Sequence, residues 1–170
     1  DDWLRKLGTH VKVSEINSNN ISRVTQLFNK TNQLNLSTRR LSANEIIDWA
    51  NSKNHSMRAI SVSDQFGDMG LVGVVSVEAQ GKKGMLVDYL LSCRAMGRKV
   101  EETLIHIAAS ELTKLGAAIM EIRYLPTERN RPTLEVLEQS NVELVRPYNY
   151  KVNIDKGYEK PSFVELSYEQ

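Results

Sequence analysis

One stretch of the sequence limits the fold more than any other: an apolar strand, a short cationic turn and a long helix follow one another directly. Residues 85–91 are almost continuously apolar, which is typical of a strand buried on both faces. Apolar residues then recur at helical spacing from Val100 to Leu115, and Gly116 stands where a left-handed cap ends a helix. Residues 118–124 indicate another strand. Because strand–helix–strand crossovers are right-handed, we expect the two strands to be neighbours in a largely parallel pair.

The rest of the chain predicts a mixed α/β fold around this unit. The first residues look helical, Ser42 with Glu45 matches the capping box that opens a helix, and a short helix is predicted over residues 131–139. The polar segment 148–161 is expected to be an extended hairpin arm. Alternating or β-branched residues predict further strands at residues 11–16, 57–63, 71–77, 143–147 and 164–168. We therefore predict one domain, residues 1–170, with a central mixed, twisted sheet of about seven strands flanked by about four helices.

Composition excludes several classes of function. The 170 residues can bury a real core, and the net charge of +1 excludes a generally basic nucleic-acid-binding protein. A single cysteine excludes an internal disulfide and a cysteine-based zinc site, so we expect no metal. No apolar run approaches the ~20 residues that span a bilayer, and we expect a cytoplasmic protein without a membrane partner. The chain starts at Asp1 without methionine, which leads us to expect a piece cut from a larger protein.

The turn between the apolar strand and the long helix has the composition of an anion site. Arg94, Arg98 and Lys99 place three cations within six residues, and Gly97 lets the backbone approach a ligand closely. The helix that follows adds unpaired N–H groups and a partial positive charge. Together these features favour a phosphate or pyrophosphate ligand. The alternative is a solvated, charged helix start, although cations at a helix N-terminus oppose the helix dipole.

The sequence of this turn, R-A-M-G-R-K, resembles the R/Q-x-x-G-x-G/A signature of GNAT-type acyltransferases, the Gcn-five-related N-acetyltransferase superfamily. The predicted order of strands and helices is also similar to the order in that superfamily. The resemblance implies that the turn wraps the pyrophosphate of coenzyme A or acyl-coenzyme A, and that the pantetheine arm runs back along the preceding strand. It implies a cofactor site made of Leu91, Arg94, Ala95, Met96, Gly97, Arg98 and Lys99.

Three separated motifs resemble a narrower family, the C-terminal GNAT-like half of FkbH-type glyceryl transferase/phosphatase proteins of polyketide assembly lines. The motifs are N-K-T-N-Q-L-N-L-S-T-R-R at residues 29–40, L-L-S-C-R-A-M-G-R-K-V-E at residues 90–101 and Y-L-P-T-E-R-N at residues 124–130. This resemblance implies an adjacent haloacid-dehalogenase-like phosphatase domain, an acyl carrier protein as partner, and glyceryl loading through a phosphopantetheine thioester. The phosphatase motif D-x-D-x-T is missing here, so dephosphorylation would belong to another domain.

Two departures from the GNAT pattern bear on catalysis. Lys99 stands where the signature has its last glycine, which narrows the approach of a pyrophosphate to the backbone. In many GNAT enzymes a tyrosine seven residues after an asparagine protonates the leaving thiolate. Counting from Asn130 reaches Leu137, so that acid is absent.

The candidate catalytic residues are Asp88, Tyr124 and Asn130. Asp88 interrupts the apolar strand, where an ionised carboxylate is costly unless it is paired or functional, and we take it as the candidate base. A surface-facing position at a strand edge is the alternative for Asp88. Tyr124 and Tyr89 could line the same cleft or could be core aromatic residues with solvated hydroxyls, and Asn130 enters through the GNAT resemblance.

Cys93 allows two interpretations. As a thiol beside a cation it could carry an acyl group. In the arrangement that the GNAT resemblance implies, however, the arm runs back along the strand at ~3.3 Å per residue, so the thioester would lie near Asp88 and Tyr89. We therefore expect Cys93 to be a small buried residue beside the turn.

The polar loop after the predicted helix near residue 21 supplies candidate contacts for a substrate or partner. Arg39 and Arg40 suit a phosphate, a carboxylate or the acidic surface of a carrier protein, and Asn32 and Thr38 belong to the same loop. The alternative is a solvated loop with incidental ion pairs.

Two functional interpretations stay open at this point. In the first, the domain binds a phosphopantetheine thioester, on coenzyme A or on a carrier protein, and assists acyl transfer. Strand N–H groups would polarise the thioester carbonyl, and Asp88 would help the incoming nucleophile. In the second, the domain has lost catalysis and docks a carrier protein beside the phosphatase domain. The missing acid and Lys99 favour the second interpretation, and the cationic turn fits both.

Overall fold

The computed structural model describes residues 2–169, and the order of its elements follows most of the predicted order. The helices are α1 (Asp2–Leu7), α2 (Ile21–Lys30), α3 (Ala43–Asn51), α4 (Val100–Lys114) and α5 (Arg131–Gln139). The strands are β1 (His10–Glu15), β2 (Leu34–Asn35), β3 (His55–Asp64), β4 (Gly67–Gln80), β5 (Lys83–Leu91), β6 (Ile119–Arg123), β7 (Glu143–Arg146), β8 (Asn149–Asn153) and β9 (Glu165–Tyr168).

The predicted helix boundaries are confirmed where capping residues set them. At the start of α3 the Ser42 hydroxyl accepts the Glu45 N–H at 3.2 Å, and the Glu45 carboxylate accepts the Ser42 N–H at 3.0 Å. Gly116 follows α4 with a φ of 94°, the left-handed cap that its position predicts. None of the helices within residues 2–169 is both long and apolar enough to cross a membrane.

The strands of the described residues form one mixed sheet, in the order β7-β8-β6-β5-β4-β3-β1-β9, with β2 attached to β5. The central crossover is confirmed, because β5 and β6 pair in parallel from Lys83 with Ile119 to Leu86 with Ile122. Strands β1 and β9 are also parallel. The other pairs are antiparallel.

The expectation of about seven strands is wrong, because two strands carry almost no pattern. Strand β2 has only two residues. Strand β8 lies inside the segment 148–161, which we expected to be an extended hairpin arm and did not count as a strand; β8 pairs with both β7 and β6. Tyr150 is the one buried residue of β8, so the burial pattern of this strand gives a weak signal.

The two faces of the sheet are covered by different helices. Helix α4 packs against the cluster that contains Leu86 and Leu91, whereas α2 and α3 pack against the cluster that contains Leu90. Gly84 permits the close contact with α4, because a Cβ there would lie 2.4 Å from Cδ2 of Leu112. The end of β5 therefore lies between two separate layers of helices.

A β-bulge in β5 decides which of its side chains meets which layer. Leu86 pairs with Val77 and Asp88 pairs with Ser76, so Val87 is an extra residue on β5. The extra residue reverses the alternation of side chains. Asp88 consequently points with Leu90 toward the face that α2 and α3 cover.

Candidate functional site

The turn after β5 keeps the backbone shape that a glycine-rich signature would have. Cys93–Ala95 form a single 3₁₀ turn, and Gly97 follows with a φ of 83°. Lys99, which replaces the expected glycine, has a φ of 64° and precedes the first residue of α4. A left-handed conformation costs a residue with a side chain about 1–2 kcal/mol. Lys99 therefore holds a backbone conformation that glycine favours, at some cost in stability.

The polar groups of this turn are largely occupied by partners from the chain itself. The Gly97 N–H donates to the Glu101 carboxylate at 2.6 Å. Arg98 lies 3.3 Å from the Asp64 carboxylate, and Lys99 lies 3.4 Å from the Glu102 carboxylate. Among the described residues, Arg94 is the cation of the turn that makes no ion pair.

A groove of about 290 Å³ separates the turn and the start of α4 from α5. We call it the turn groove. Its lining includes Met96, Gly97, Glu101, Glu102, Glu135 and Gln139. The turn, to which the GNAT resemblance assigns the pyrophosphate, forms part of its wall. Because Glu101 holds the Gly97 N–H, a phosphate that entered this groove would have to displace that carboxylate.

The free edge of β5 is occupied by strand β2. Pairing between β5 and β6 stops at Leu86, and beyond that point β5 pairs with β2 through Leu34 with Leu91 and Asn35 with Leu90. The Leu36 N–H then donates to the Tyr89 carbonyl at 3.2 Å. This is the edge along which the GNAT resemblance places the pantetheine arm. In this conformation the chain itself fills the path of the arm.

Buried side chains anchor β2 in this position. The Thr133 hydroxyl donates to the Gln33 carbonyl at 2.8 Å and accepts the Asn35 N–H at 3.0 Å. The Asn130 amide donates to the Asn35 carbonyl at 3.0 Å. Thr133, Asn35 and Asn130 are all buried. Sequence reasoning missed β2 and Thr133, since a two-residue strand has no periodicity and Thr133 lies in a different part of the sequence.

Tyr124 and Asn130 form one hydrogen-bonded unit at the end of β6. The Tyr124 hydroxyl donates to Asn130 Oδ1 at 2.8 Å. Burial raises the pKa of the Tyr124 phenol above its ordinary value, the neighbouring Tyr148 adds to the shift, and Arg131 opposes it. Tyr124 is therefore a neutral donor at neutral pH, with its proton directed at Asn130. The position of the missing acid, Leu137, is buried.

The Tyr89 side chain is buried and does not line a cleft together with Tyr124. Its hydroxyl donates to the Glu101 carbonyl at 2.8 Å. Burial raises the pKa of Tyr89 well above its ordinary value, and the charge of Glu101 adds to this. Tyr89 thus fits the alternative of a core aromatic residue, with a hydroxyl that is bonded to the chain.

Asp88 is fully buried, so the alternative of a surface-facing position is wrong. Its carboxylate accepts hydrogen bonds from Ser76 at 2.6 Å and Ser37 at 3.1 Å. Arg39 adds a bond from Nε at 3.0 Å and an ion pair through its second nitrogen. The Arg39 guanidinium also lies over the Trp49 ring, 5.0 Å from its centroid. A carboxylate with four donors can take up a substrate proton only after Arg39 moves away.

The paired arginines of the loop point to different partners. Arg39 binds Asp88, whereas Arg40 donates to Asn32 Oδ1 at 2.6 Å and to the Thr31 carbonyl at 3.1 Å. Thr38 between them adopts a φ of 52° and donates its N–H to the Asn35 side chain at 2.9 Å. The loop is thus an internal scaffold around β2, and the structure does not bring Arg39 and Arg40 to one anion site.

Cys93 is exposed, so the expectation that it is buried is wrong. The 3₁₀ turn places its thiol outside the core, where it donates to Gln33 Oε1 at 3.2 Å. Cys93 lines a second groove, on the side of β5 that α2 covers. Three cations in that groove, Arg23, Lys30 and Arg129, escaped sequence reasoning because they lie far apart along the chain.

Comparison with known proteins identifies the fold. No family model and no curated protein matches the chain. The GNAT domain of S. lividans PAT is 13% identical with a TM-score of 0.61, over 84% of this chain and 89% of that chain. Spermidine N-acetyltransferase from Vibrio cholerae, solved with coenzyme A and spermine, is 11% identical with a TM-score of 0.60, over 87% and 97% of the two chains. PaiA N-acetyltransferase from Thermoplasma acidophilum, solved with coenzyme A, is 12% identical with a TM-score of 0.58, over 84% and 98%.

These likenesses confirm the GNAT fold that the turn and the element order imply. At such low identity they concern the fold alone. The FkbH-type resemblance stays a prediction, as do the roles of the individual site residues.

Proposed function

We propose that this domain is a GNAT-type acyltransferase that binds a phosphopantetheine thioester at the turn after β5. One observation carries the proposal. The turn and the turn groove lie at the end of β5, past the point where β5 and β6 part, and the β5 edge beyond Leu86 pairs with the two-residue strand β2 and accepts the Leu36 N–H. Structural neighbours with this fold include N-acetyltransferases solved with coenzyme A.

In this account β2 must leave the β5 edge before the arm can bind. Leu34 and Leu36 are buried, and full exposure of a leucine costs about 1.5–3 kcal/mol. The amides of the pantetheine arm can replace the backbone hydrogen bonds that β2 gives up, and its methylene groups can cover part of the apolar surface. Every ~1.4 kcal/mol that is not recovered weakens the apparent affinity about tenfold.

Once β2 has left the β5 edge, the proposed acyl transfer needs few groups of the protein. Asp88, released by Arg39, would accept a proton from the incoming nucleophile as the nucleophile attacks the thioester carbonyl. The carbon–sulfur bond then breaks, and the thiolate leaves with its charge. Because Leu137 stands in place of an acid, the thiolate takes its proton from water.

The natural donor we propose is the phosphopantetheine of an acyl carrier protein, with glyceryl as the acyl group and a phosphatase-type domain as neighbour. The support is the FkbH-type resemblance together with the charge of the turn. Arg94 is the cation of the turn without an ion pair in the described residues, which suits the single phosphodiester of a carrier protein better than a pyrophosphate.

A matched pair of glycine variants tests the proposed site. Gly97 and Gly81 both have positive φ, 83° and 62°, and a Cβ on either one would meet no atom within 4 Å. Gly97→Ala and Gly81→Ala therefore strain the backbone alike, but only Gly97 lies in the turn. Strain weakens binding where the free turn relaxes out of the conformation that binds the ligand. We therefore expect calorimetry to show about tenfold weaker binding of coenzyme A or holo-carrier protein to the Gly97→Ala protein, for 1–2 kcal/mol of strain, and unchanged binding to the Gly81→Ala protein. Equal effects of the two substitutions would contradict the site.

A second candidate function is a docking module that has lost catalysis. Specific observations favour it: β2 closes the path of the arm, Leu137 replaces the acid, and Asp88 is covered by Arg39. This candidate predicts that the apo and holo forms of a carrier protein bind equally, and that coenzyme A competes with neither. The thioester proposal predicts tighter binding of the holo form and competition by coenzyme A.

A further inference from the structure

The second groove has a volume of about 450 Å³ and lies at the end of β5, on the face of the sheet opposite the turn groove. We call it the basic groove. Helix α2, the segment that follows it, the residues after β5 and the loop before α5 each contribute to its walls. The side chains that matter for its chemistry are Arg23, Lys30, Asn32, Gln33, Cys93 and Arg129.

The charge of the basic groove is of one sign. Arg23, Lys30 and Arg129 line it, and none of the aspartates and glutamates of residues 2–169 does. None of these three cations forms an ion pair within residues 2–169. Burial, and then repulsion from the nearby Arg94, lower the pKa of Arg23 below its ordinary value. Three cations therefore line the groove without a counter-charge from the described chain.

The amide side chains of the groove offer donors rather than acceptors. Each amide oxygen of its lining is already taken: Gln26 Oε1 accepts from Arg23 at 2.6 Å, Asn32 Oδ1 from Arg40 at 2.6 Å, and Gln33 Oε1 from Cys93 at 3.2 Å. These contacts fix the amides so that their NH₂ groups remain as free donors. A ligand that fits such a lining must be rich in acceptors.

We propose that the basic groove binds the phosphate group of a small phosphate ester. A phosphate offers acceptor oxygens on every side, and guanidinium groups match it with paired N–H bonds. The apolar side chain of Leu27 in the same lining, and a volume larger than a phosphate alone requires, leave room for an organic group. The proposal does not depend on acyl transfer, since the basic groove and the turn groove lie on opposite faces.

Cys93 gives the protein a built-in reporter for this groove, because it is the single cysteine of the chain and it is exposed. Iodoacetate and iodoacetamide alkylate the same thiolate, but only iodoacetate is an anion. The ratio of the two rates therefore reports the local potential and cancels any change in the fraction of thiolate. A groove with unpaired cations raises this ratio, and added salt lowers it.

The variants Arg129→Gln and Lys30→Gln remove one groove cation each. Neither side chain donates a hydrogen bond to another described residue, so folding should be undisturbed. Arg146→Gln, on β7, is the matched control. We expect the iodoacetate-to-iodoacetamide ratio to fall about two- to fivefold in each groove variant and to stay unchanged in the control. An unchanged ratio in both groove variants would overturn the electrostatic basis of the proposal.

Ligand binding is tested with phenyl phosphate as the probe and iodoacetamide as the reagent, so that competition between anions plays no part. We expect phenyl phosphate to slow the alkylation of Cys93 in the wild type, to do so less in the Arg129→Gln protein, and to act at lower concentration than inorganic phosphate. Equal slowing by sodium chloride at the same ionic strength would show screening only and overturn the proposal. The proposal would also be overturned if inorganic phosphate slowed the alkylation at the same concentration as phenyl phosphate. It would be overturned too if only long polyanions such as heparin protected Cys93.

Discussion

Asn35 lies in antiparallel register with Leu90, on the edge of β5 that is left free where β6 departs. The carbonyl oxygen of Asn35 accepts a bond from Asn130, and Asn130 in turn accepts the Tyr124 hydroxyl. Two of the residues that sequence reasoning assigned to catalysis thus hold β2 in place. The pairing of Asn35 with Leu90 makes access to the β5 edge the step on which the proposed function depends.

Loosening β2 should tighten the binding of a thioester. Thr133→Val removes the hydroxyl that bonds both Gln33 and Asn35. We expect the free energy of unfolding to fall by about 2 kcal/mol, because buried polar groups lose their partner. Calorimetric affinity for acetyl-coenzyme A should rise up to about tenfold, since less energy is needed to release β2.

Thr113→Val serves as the control for that experiment. Thr113 also donates a side-chain bond to a backbone carbonyl, that of Ala109 at 2.9 Å, but it lies in α4 away from β2. The affinity of the Thr113→Val protein for acetyl-coenzyme A should equal that of the wild type. If Thr133→Val loses stability without any gain in affinity, β2 does not control access to the site.

Lys99 should carry a measurable backbone strain. Replacement by alanine removes the charge and keeps the strain, whereas replacement by glycine removes both, because glycine adopts a φ near the observed 64° freely. We expect the Lys99→Gly protein to be more stable than the Lys99→Ala protein by about 0.5–1 kcal/mol in urea denaturation. The glycine variant should also bind coenzyme A more tightly than the alanine variant, and equal affinities would show that the side chain does not narrow the turn.

The Arg39–Asp88 pair should be worth more to stability than a surface ion pair. Arg39→Met leaves the fully buried Asp88 carboxylate without its cation, and we expect a loss of about 3 kcal/mol in the free energy of unfolding. Adding Asp88→Asn should restore part of that loss, because the uncompensated charge is gone. Arg40→Met, which removes bonds to neutral acceptors only, is the comparison. No recovery in the double variant would mean that Arg39 stabilises the fold through packing on Trp49 rather than through charge.

Glu111 should make stability depend on pH in the acid range. Burial raises the pKa of Glu111. Hydrogen bonds from Ser56 and Lys114 and the charge of Arg58 together lower this pKa by more than burial raises it, so the net pKa lies below its ordinary value. The stabilisation is therefore fully present above the unfolded pKa of about 4.3 and is lost as the pH falls through the lower folded pKa.

Urea denaturation of the wild type and of the Glu111→Gln protein measures this dependence. The difference in free energy of unfolding should be constant between pH 7 and pH 5 and should shrink below about pH 4. A difference that stays constant down to pH 3 would show that the ionised form of Glu111 contributes nothing.

The parts of the fold that the sequence predicts are those with long periodic signals. Helix α4 and its neighbours β5 and β6 fall where residues 85–124 place them, because core burial repeats over many residues. Strand β2 could not be predicted, since its place is fixed by Thr133 and Asn130, which meet it only in the folded chain.

For the candidate site, the sequence indicated the types of residue involved, but it did not indicate which residues contact one another. The carboxylate partners of Arg98 and Arg39 lie on β3 and β5, far away along the sequence, and no local pattern predicts such pairs. Cys93 was assigned to the interior because the GNAT resemblance places the thioester farther back along the strand, but the 3₁₀ turn places the thiol outside the core.

Hydrogen exchange shows whether β2 leaves the β5 edge when a thioester binds. The Asn35 and Leu36 amides are bonded to Thr133 and to the Tyr89 carbonyl, so both should exchange slowly in the free protein. If an acyl-coenzyme A or a holo-carrier protein binds along β5, exchange of these two amides should accelerate on saturation, while the Tyr89 and Leu91 amides of β5 stay protected. Binding of the thioester with unchanged protection of Asn35 and Leu36, or no binding of either carrier, would contradict the account.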